Sequence, residues 1–522
     1  MSIDGPSGSR ATHYHLDESN VIPVDCVSSC DKGASHMRCL RLLLTVWAGH
    51  VSINALPDDI LLNIIVFDRV AFLDGLKGVY RSRLFWRWHR LVHVCRRWRS
   101  VVFASPIFLN LKLICGPETP VKLIYIWPPL PIIIRTFDWP MPDDYDFEAA
   151  ILHRNRVCQI NLFFQTASQL QRLASAMQEQ FSALTHLKLC FTSFTPPHSL
   201  PAPDLPDGFL GGSAPRLQSL ELNRISFPAL PKLLLSATHL VRLTLKNIPH
   251  TGYISPEAVI TCLTMLGNLR SLTIEFETLI FRADRESRRP PPLARAVLPA
   301  LTRFSFQGAS ECLEDLVAGI DTPSINSIWI NIFHEFTTLV TLQLAHFMRR
   351  TAGLQAFIFH EARVDFNLFG VQLEPLLQTR TFNEKFVLRI SCQQLSSQIS
   401  SAAQVIPSFI PSIYMVTHLY ITGTGPLGSA LREQTGTQNT PWLDFFRPFS
   451  AVENIYFSES FAPRIALALR ELGGTTEVLP TLQNIFLEEL QPSEPVQEAI
   501  GQFVANRQLL GRPVAVFDWN RT

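Results

Sequence analysis

From about residue 109 onward the chain repeats one pattern of apolar and polar positions. The string apolar-x-x-apolar-x-apolar occurs at Val157-Ile160-Leu162, Leu184-Leu187-Leu189, Leu217-Leu220-Leu222, Leu240-Leu243-Leu245, Leu269-Leu272-Ile274 and Leu301-Phe304-Phe306. It continues at Ile325-Ile328-Ile330, Leu354-Phe357-Phe359, Val416-Leu419-Ile421, Val452-Ile455-Phe457 and Leu482-Ile485-Leu487. The last two apolar positions flank a single residue, the period-two alternation of a strand with one buried face. Successive strings start about 30 residues apart. The interval from Leu354 to Val416 is double, and Phe386-Val-Leu-Arg-Ile, itself alternating, is the expected degenerate strand between them. Helical patterns fill the intervals, among them 167–181, 256–266, 311–320, 333–348, 463–472 and 495–509. Several open on proline, which a first helical turn accepts because its N–H has no partner there.

One strand and one helix per unit of this length predict a leucine-rich-repeat solenoid, each unit burying its apolar side only against its neighbours. The strict repeat consensus places Asn or Cys eight residues after the first leucine. Here those positions are Thr192, Ile225 and Ile248 in the second to fourth units. The expectation is therefore an irregular solenoid without a continuous asparagine ladder. Two loops interrupt it: 194–215, rich in Pro and Gly, and 282–295, with five arginines around Pro290-Pro-Pro, read as a solvated loop.

The residue between the last two apolar positions of each string points away from the core. In order these residues are Asn161, Lys188, Glu221, Thr244, Thr273, Ser305, Trp329, Ile358, Tyr420, Tyr456 and Phe486. The first six are polar and the last five aromatic or aliphatic. Exposed aromatic patches mark binding surfaces, so Trp329, Ile358, Tyr420, Tyr456 and Phe486 are the candidate residues for binding a target protein. The alternatives are that the tail 514–519 folds back over the patch, or that the register slips by one residue.

Ahead of the repeats, residues 51–106 predict three short amphipathic helices. Leu56-Pro57-Asp58-Asp59 is a helix start, with proline early and carboxylates on the positive end of the dipole. Ile60, Leu61, Ile64 and Ile65 make one apolar face. A second helix is expected over 84–95 with Trp88, Leu91, Val92 and Cys95. A third is expected over 96–104 with Trp98, Val101 and Val102, stopped by Ser105-Pro106. So small a unit stabilises itself poorly and wants a partner. The chain thus divides into a polar, largely disordered segment 1–50, the helical unit 51–106 and the solenoid 107–522.

The helical unit resembles an F-box. The matching residues are Leu56-Pro57, the apolar first helix, and Val94-Cys95-Arg96-Arg97-Trp98. The wider stretch, including Leu-Val-His-Val-Cys-Arg-Arg-Trp-Arg-Ser-Val-Val-Phe-Ala-Ser-Pro and Trp127-Pro-Pro-Leu-Pro, is similar to the F-box-like domain of a large fungal family. A glycine-punctuated insertion after Phe67 departs from the pattern. The resemblance implies an α/β chain with a small N-terminal three-helix F-box-like module and a solenoid behind it. It also implies a substrate-recognition subunit of a Skp–cullin–F-box ubiquitin ligase, itself without catalysis. In such proteins the helical module binds the Skp-type adaptor, and through it a cullin–RING ligase, while the repeats hold the target. Carried over by position, Leu56, Pro57, Ile60, Leu61, Val94, Cys95 and Trp98 are the adaptor-binding candidates, or else the core of the three helices. The alternative function is a repeat scaffold that no longer engages a ligase.

Composition narrows the choice further. The net charge is +1, so no global field selects nucleic acid or an anionic membrane. Hydrophobic residues are 47% and charged ones 17%, which suits a large buried core. The ten cysteines are scattered, the pattern of reduced thiols and not of a disulfide framework. No apolar run is long enough to span a bilayer. The expected location is cytoplasmic or nuclear. Lys77–Arg99 holds eight basic residues and no acid, with Trp86, Trp88 and Trp98 interleaved. Trp88 and Trp98 fall on apolar helix faces, so the arginines read as solvated faces and not as a nucleic-acid site.

No catalytic or cofactor-binding constellation emerges. Gly423-Thr-Gly-Pro-Leu-Gly428 fits a dinucleotide fingerprint, but no long helix follows and Pro426 removes a donor. His334-Glu335 and His360-Glu361 lack the second histidine of a zinc-protease signature. Cys26, Cys30, His36 and Cys39 have loosely metal-like spacing in a polar tail, and no metal is expected there.

Overall fold

The computed structural model describes residues 56–63, 66, 92–106, 108–117, 123–136, 147–192, 203–277, 295–333, 341–355, 359–376, 386–392, 394–410, 412–423, 440–458, 461–472, 477–488 and 494–519. Among these residues, sixteen strands join in one sheet. Its first half comprises β1 (Leu113–Cys115), β2 (Ile132–Arg135), β3 (Val157–Phe164), β4 (His186–Phe191), β5 (Ser219–Asn223), β6 (Arg242–Ile248) and β7 (Ser271–Phe276). A separate pair, β8 (Ala296–Val297) and β10 (Ile320–Asp321), flanks β9 (Arg303–Ala309) in sequence. Then follow β11 (Ser327–Phe333), β12 (Glu361–Asn367), β13 (Gly370–Leu376), β14 (Phe386–Ser391), β15 (His418–Gly423), β16 (Asn454–Phe457), β17 (Asn484–Leu487) and β18 (Ala515–Asp518). Neighbouring strands run parallel in chain order from β1 to β11, the β8–β10 pair aside, and again from β15 to β18. The protein is a mixed α/β chain with a long, mostly parallel sheet backed by helices.

The alternation predicted from sequence places the core. In β3 to β7, Ile160, Leu162, Leu187, Leu189, Leu220, Leu222, Leu243, Leu245, Leu272 and Ile274 are buried and meet in register from strand to strand. Helices return the chain on the other side and pack side by side. Each carries its own start signal. Thr166 and Gln169 form a capping box on Ala167–Ala176. Ser255 caps Pro256–Leu263, with proline in the first turn.

Consecutive units are also latched through helix ends. Glu314, buried on helix Ser310–Gly319, accepts from the backbone N–H groups of Gln343 (2.7 Å) and Leu344 (2.8 Å). These donors open the next helix, Leu342–Arg350, and would otherwise lack partners. From its other end Arg350 donates to the carbonyls of Val317 and Ile320 behind the earlier helix. Arg507 repeats this on helix Glu494–Leu509, donating to Val478 and Leu479. Arg350 thereby brings a cation to the carbonyl-rich end of the preceding helix, whereas the acceptors of Arg507 lie in the turn before β17.

The stack reverses once. Strand order runs β11-β14-β13-β12-β15, with β13 antiparallel to both neighbours. The chain leaves the stack after β11 and enters at β12, beside the position β15 will take. It folds back through β13 and fills the gap with β14. The turn Asn367-Leu-Phe-Gly370 makes the reversal. Asn367 accepts from the Phe369 N–H at 2.9 Å, and a side chain at Gly370 would meet the Ile390 carbonyl at 2.0 Å.

This corrects several expectations. The degenerate strand expected at Phe386-Val-Leu-Arg-Ile is β14, but the double interval holds two further strands, β12 and β13. Of Leu354-Phe357-Phe359, Leu354 belongs to the helical turn Ala352–Gln355 and Phe357 lies outside the described residues; the strand begins at Glu361. Leu354 and Phe359 are nevertheless core residues. The helix expected over 333–348 is Leu342–Arg350, because Phe333 still belongs to β11. Arg295, at the end of the basic loop, is exposed as expected and also donates to the Ala318 carbonyl. The tail 514–519 forms β18 and lengthens the sheet, and of it Trp519 turns back over the patch, onto Tyr456 and Tyr420.

Of the N-terminal unit, Arg96–Ala104 is a helix, as expected, with Cys95 Sγ accepting from the Trp98 N–H at its start. Leu61, Val92, Trp98 and Val102 are buried and join the continuous core that runs into the repeats. Trp127 packs edge-on against His93 and Phe103. Of the second helix, expected over 84–95, only 92–95 are described, and it ends at Val92, with His93 and Val94 in a turn; residues 84–91, the insertion after Phe67, the cysteines at 26, 30 and 39, Thr424 to Gly428 and the arginines from 282 to 289 lie outside the described residues.

Candidate interaction face

Strand pairing sets the outward column residue by residue. Asn161 pairs with Lys188, then Glu221, Thr244, Thr273, Ser305 and Trp329 follow in one row. Trp329 pairs with Val387. Across the reversed segment, Glu374 pairs with Arg363, and Arg363 with Tyr420. Tyr456, Phe486 and Phe517 complete the row. The register did not slip. The patch, however, is divided. Trp329 lies four strands from Tyr420, about 19 Å at ordinary strand spacing. Ile358 lies outside the described residues, and Arg363 holds the place in the row that it was assigned. The meander inserted there, which no repeat pattern announces, separates the aromatic residues.

What remains together is a ladder of four stacked rings. Tyr420 and Tyr456 are 4.3 Å apart with planes 13° from parallel, and Tyr456 and Phe486 are 4.5 Å apart at 10°. Phe486 and Phe517 follow at 5.2 Å and 23°. The distances match the strand spacing, so the backbone itself imposes the stack. The Arg363 guanidinium lies 5.9 Å from the Tyr420 ring and closes that end. Trp519 leans back from the tail against Tyr456 (5.4 Å) and Tyr420 (6.0 Å). Phe517 and Trp519 were missed in the sequence because 514–519 lacks the leading apolar positions of the repeat string.

Beside the rings runs a hydrogen-bonded row. Asn484 donates to the Asn454 side-chain oxygen at 2.7 Å, and Asn454 donates to His418 Nε2 at 3.2 Å. The Thr417 hydroxyl donates to the His360 carbonyl and is 3.0 Å from His418 Nδ1. This network assigns the His418 proton to Nδ1. Burial pushes the Tyr420 hydroxyl up to about 12, helped by the Glu361 carboxylate nearby and by its bond to Tyr456. Burial raises Tyr456 as well. Both phenols therefore stay neutral and act as hydrogen-bonding, ring-presenting groups at neutral pH.

The first half of the same face is charged and largely self-neutralised. Lys188 meets Glu221 at 2.9 Å, Arg224 meets Glu277 at 2.8 Å and Lys246 meets Glu275 at 3.5 Å. Such partly exposed pairs contribute little to stability, up to about 1 kcal/mol each.

At the N-terminal end the two strings of the helical unit come together. Arg97 donates to Asp58 Oδ1 through Nε (2.9 Å) and Nη2 (2.6 Å), and to the Leu56 carbonyl. Leu61 and Trp98 are core, and Leu56 and Cys95 are half-buried against it. Pro57, Ile60 (41% exposed) and Val94 (57% exposed) face outward.

Among the described residues, no group of three His, Cys, Asp or Glu side chains is placed to hold a metal ion. Nor is any helix there long and apolar enough to cross a membrane. Cys95, Cys115, Cys158, Cys190, Cys262, Cys312 and Cys392 are free thiols. Burial pushes Cys115 and Cys392 up to about 12, which makes them poor nucleophiles.

No protein-family model matches the chain, and no curated protein matches it. Among solved structures it is similar to the leucine-rich repeat-containing protein LegL7 from Legionella pneumophila, at 12% identity and a TM-score of 0.26, covering 75% of this chain and 96% of that one.

Proposed function

We propose that this protein is the substrate-recognition subunit of a Skp–cullin–F-box ubiquitin ligase. The helical unit docks the Skp-type adaptor, and the aromatic half of the sheet face holds a target protein. The chain performs no chemistry of its own and needs no cofactor. It acts by holding the target close to a ubiquitin-charged enzyme, which raises the effective concentration of the reacting groups. Neither nucleic acid nor a membrane is among its partners in this reading.

The observation that carries the proposal is the meeting of the two F-box-like strings. Asp58 and Arg97, 39 residues apart, lock Leu56-Pro57 to Val94-Cys95-Arg96-Arg97-Trp98. Leu61 and Trp98 supply the support beneath. Pro57, Ile60 and Val94 supply an outward apolar surface, as an anchor for an adaptor requires. Trp98 and Leu61, proposed from sequence as adaptor-facing, serve in this reading as the floor of the site.

The test is co-purification of the full chain with the adaptor. Ile60→Asp with Val94→Asp should abolish it while leaving the circular dichroism spectrum unchanged. Leu56→Ala with Pro57→Ala should weaken it by about 1–3 kcal/mol. Undiminished adaptor binding by the aspartate double variant refutes the docking surface. If the wild-type chain takes up no adaptor at all, the chain is a repeat scaffold outside a ligase.

A further inference from the structure

The aromatic ladder is closed at one end and open at the other. Arg363 covers Tyr420, whereas Phe517 is 45% exposed on β18, where the sheet ends among the described residues. A stack of rings and a row of backbone groups thus stop at the same strand.

The direction of those backbone groups follows from the pairing with β17. The Ala515 N–H bonds to the Gln483 carbonyl (2.8 Å) and the Trp519 N–H to the Leu487 carbonyl (2.7 Å). By the alternation of a parallel ladder, residues 515, 517 and 519 point their N–H and C=O groups at β17. Val516 and Asp518 point theirs outward, across the open edge. The two outward residues flank Phe517 symmetrically.

We propose that β18 pairs antiparallel with β18 of a second copy of this chain, centred on Phe517. In that register Val516 of each copy faces Asp518 of the other, and each such pair exchanges two N–H···O bonds, so all the outward groups of both residues are used. Phe517 faces its symmetry mate as the non-hydrogen-bonded pair, the closer of the two kinds, and both rings lie on the same face of the sheet. The ladder then runs unbroken through a twofold axis, from Tyr420 to Phe517 and back. The contact is self-complementary, as a closed dimer demands.

Two further features suit this occupant. The net charge of +1 means that two copies scarcely repel one another. Trp519 leans inward onto Tyr456 and Tyr420, away from the edge, and leaves the outer side of Phe517 free. The inference is independent of ligase membership, since it uses neither the helical unit nor a target.

Sedimentation equilibrium of the full chain tests it. Wild type should form a reversible dimer. Val516→Pro removes an outward N–H and leaves every bond to β17 intact, so it should raise the dimer dissociation constant at least about tenfold without changing the far-ultraviolet circular dichroism spectrum. Phe517→Lys places two like charges opposite each other across the axis and should raise the dissociation constant likewise, with some loss of stability from the lost Phe486 stack. A wild-type chain that stays monomeric across the micromolar range overturns the proposal. So does a dimer that both variants leave untouched.

Discussion

The aromatic ladder makes one quantitative commitment, and Tyr456 is its centre. Its ring stacks on Tyr420 at 4.3 Å and on Phe486 at 4.5 Å. Aromatic pairs of this kind contribute about 0.5–1.5 kcal/mol each beyond area burial. Tyr456→Ala removes both stacks and the edge contact with Trp519, so a loss of about 1.5–4.5 kcal/mol is expected, confined to the last strands. Tyr456→Phe keeps both stacks and removes only the hydroxyl bonded to Tyr420, so it should cost no more than about 1 kcal/mol. The coupling between Tyr420→Ala and Tyr456→Ala in a double-mutant cycle should be about 1 kcal/mol. Urea unfolding gives the totals. Amide exchange over β15 to β17 shows whether the loss is local. Under the proposed function, Tyr456→Ala also loses target capture while adaptor binding persists. A loss below about 0.5 kcal/mol with additive single variants would refute the reasoning, since the rings would then lie side by side without supporting one another.

Glu314→Ala should destabilise the chain by about 2–5 kcal/mol, because it strands the N–H groups of Gln343 and Leu344 at a buried helix start; unchanged exchange at those amides would count against the latch. Stability should also fall between about pH 10 and the Tyr420 value of about 12. In that window the unfolded tyrosine has lost its proton and the folded one has not, so rising pH favours the unfolded chain. Glu361→Gln should let Tyr420 ionise earlier in an ultraviolet pH titration, and an unmoved titration would remove the carboxylate from the account.

The alternation of apolar residues was enough, in the sequence alone, to find most of the sheet. Positions such as Leu187, Leu220 and Leu243 must all face one way once they alternate, and the roughly 30-residue period then stacks them. The same logic put Tyr420, Tyr456 and Phe486 in one outward row, because period two leaves no other choice. The helices expected from 167 and 256 were equally local, since their caps, Thr166 and Ser255 in the structure, need only their own first turns. The Arg96–Ala104 helix was bounded by Pro106 for the same reason.

The reversal at β12 to β14 was decided by tertiary structure. Nothing in the spacing from Leu354 to Val416 says whether a strand enters the sheet beside its predecessor or beyond it. That choice depends on which edge is free when the strand forms and on a turn, Asn367 to Gly370, whose geometry reads the same in either case. It moved Arg363 into the row and carried Trp329 away from the tyrosines. The fate of the tail was undecided for a like reason. Four residues from Ala515 to Asp518 carry too little pattern to declare themselves a strand, and only the open edge of β17 makes them one. Sequence thus determined which face each residue of a strand presents, a property of the local backbone. Only the assembled sheet determined which strands are neighbours, and with that which of the outward side chains share a site.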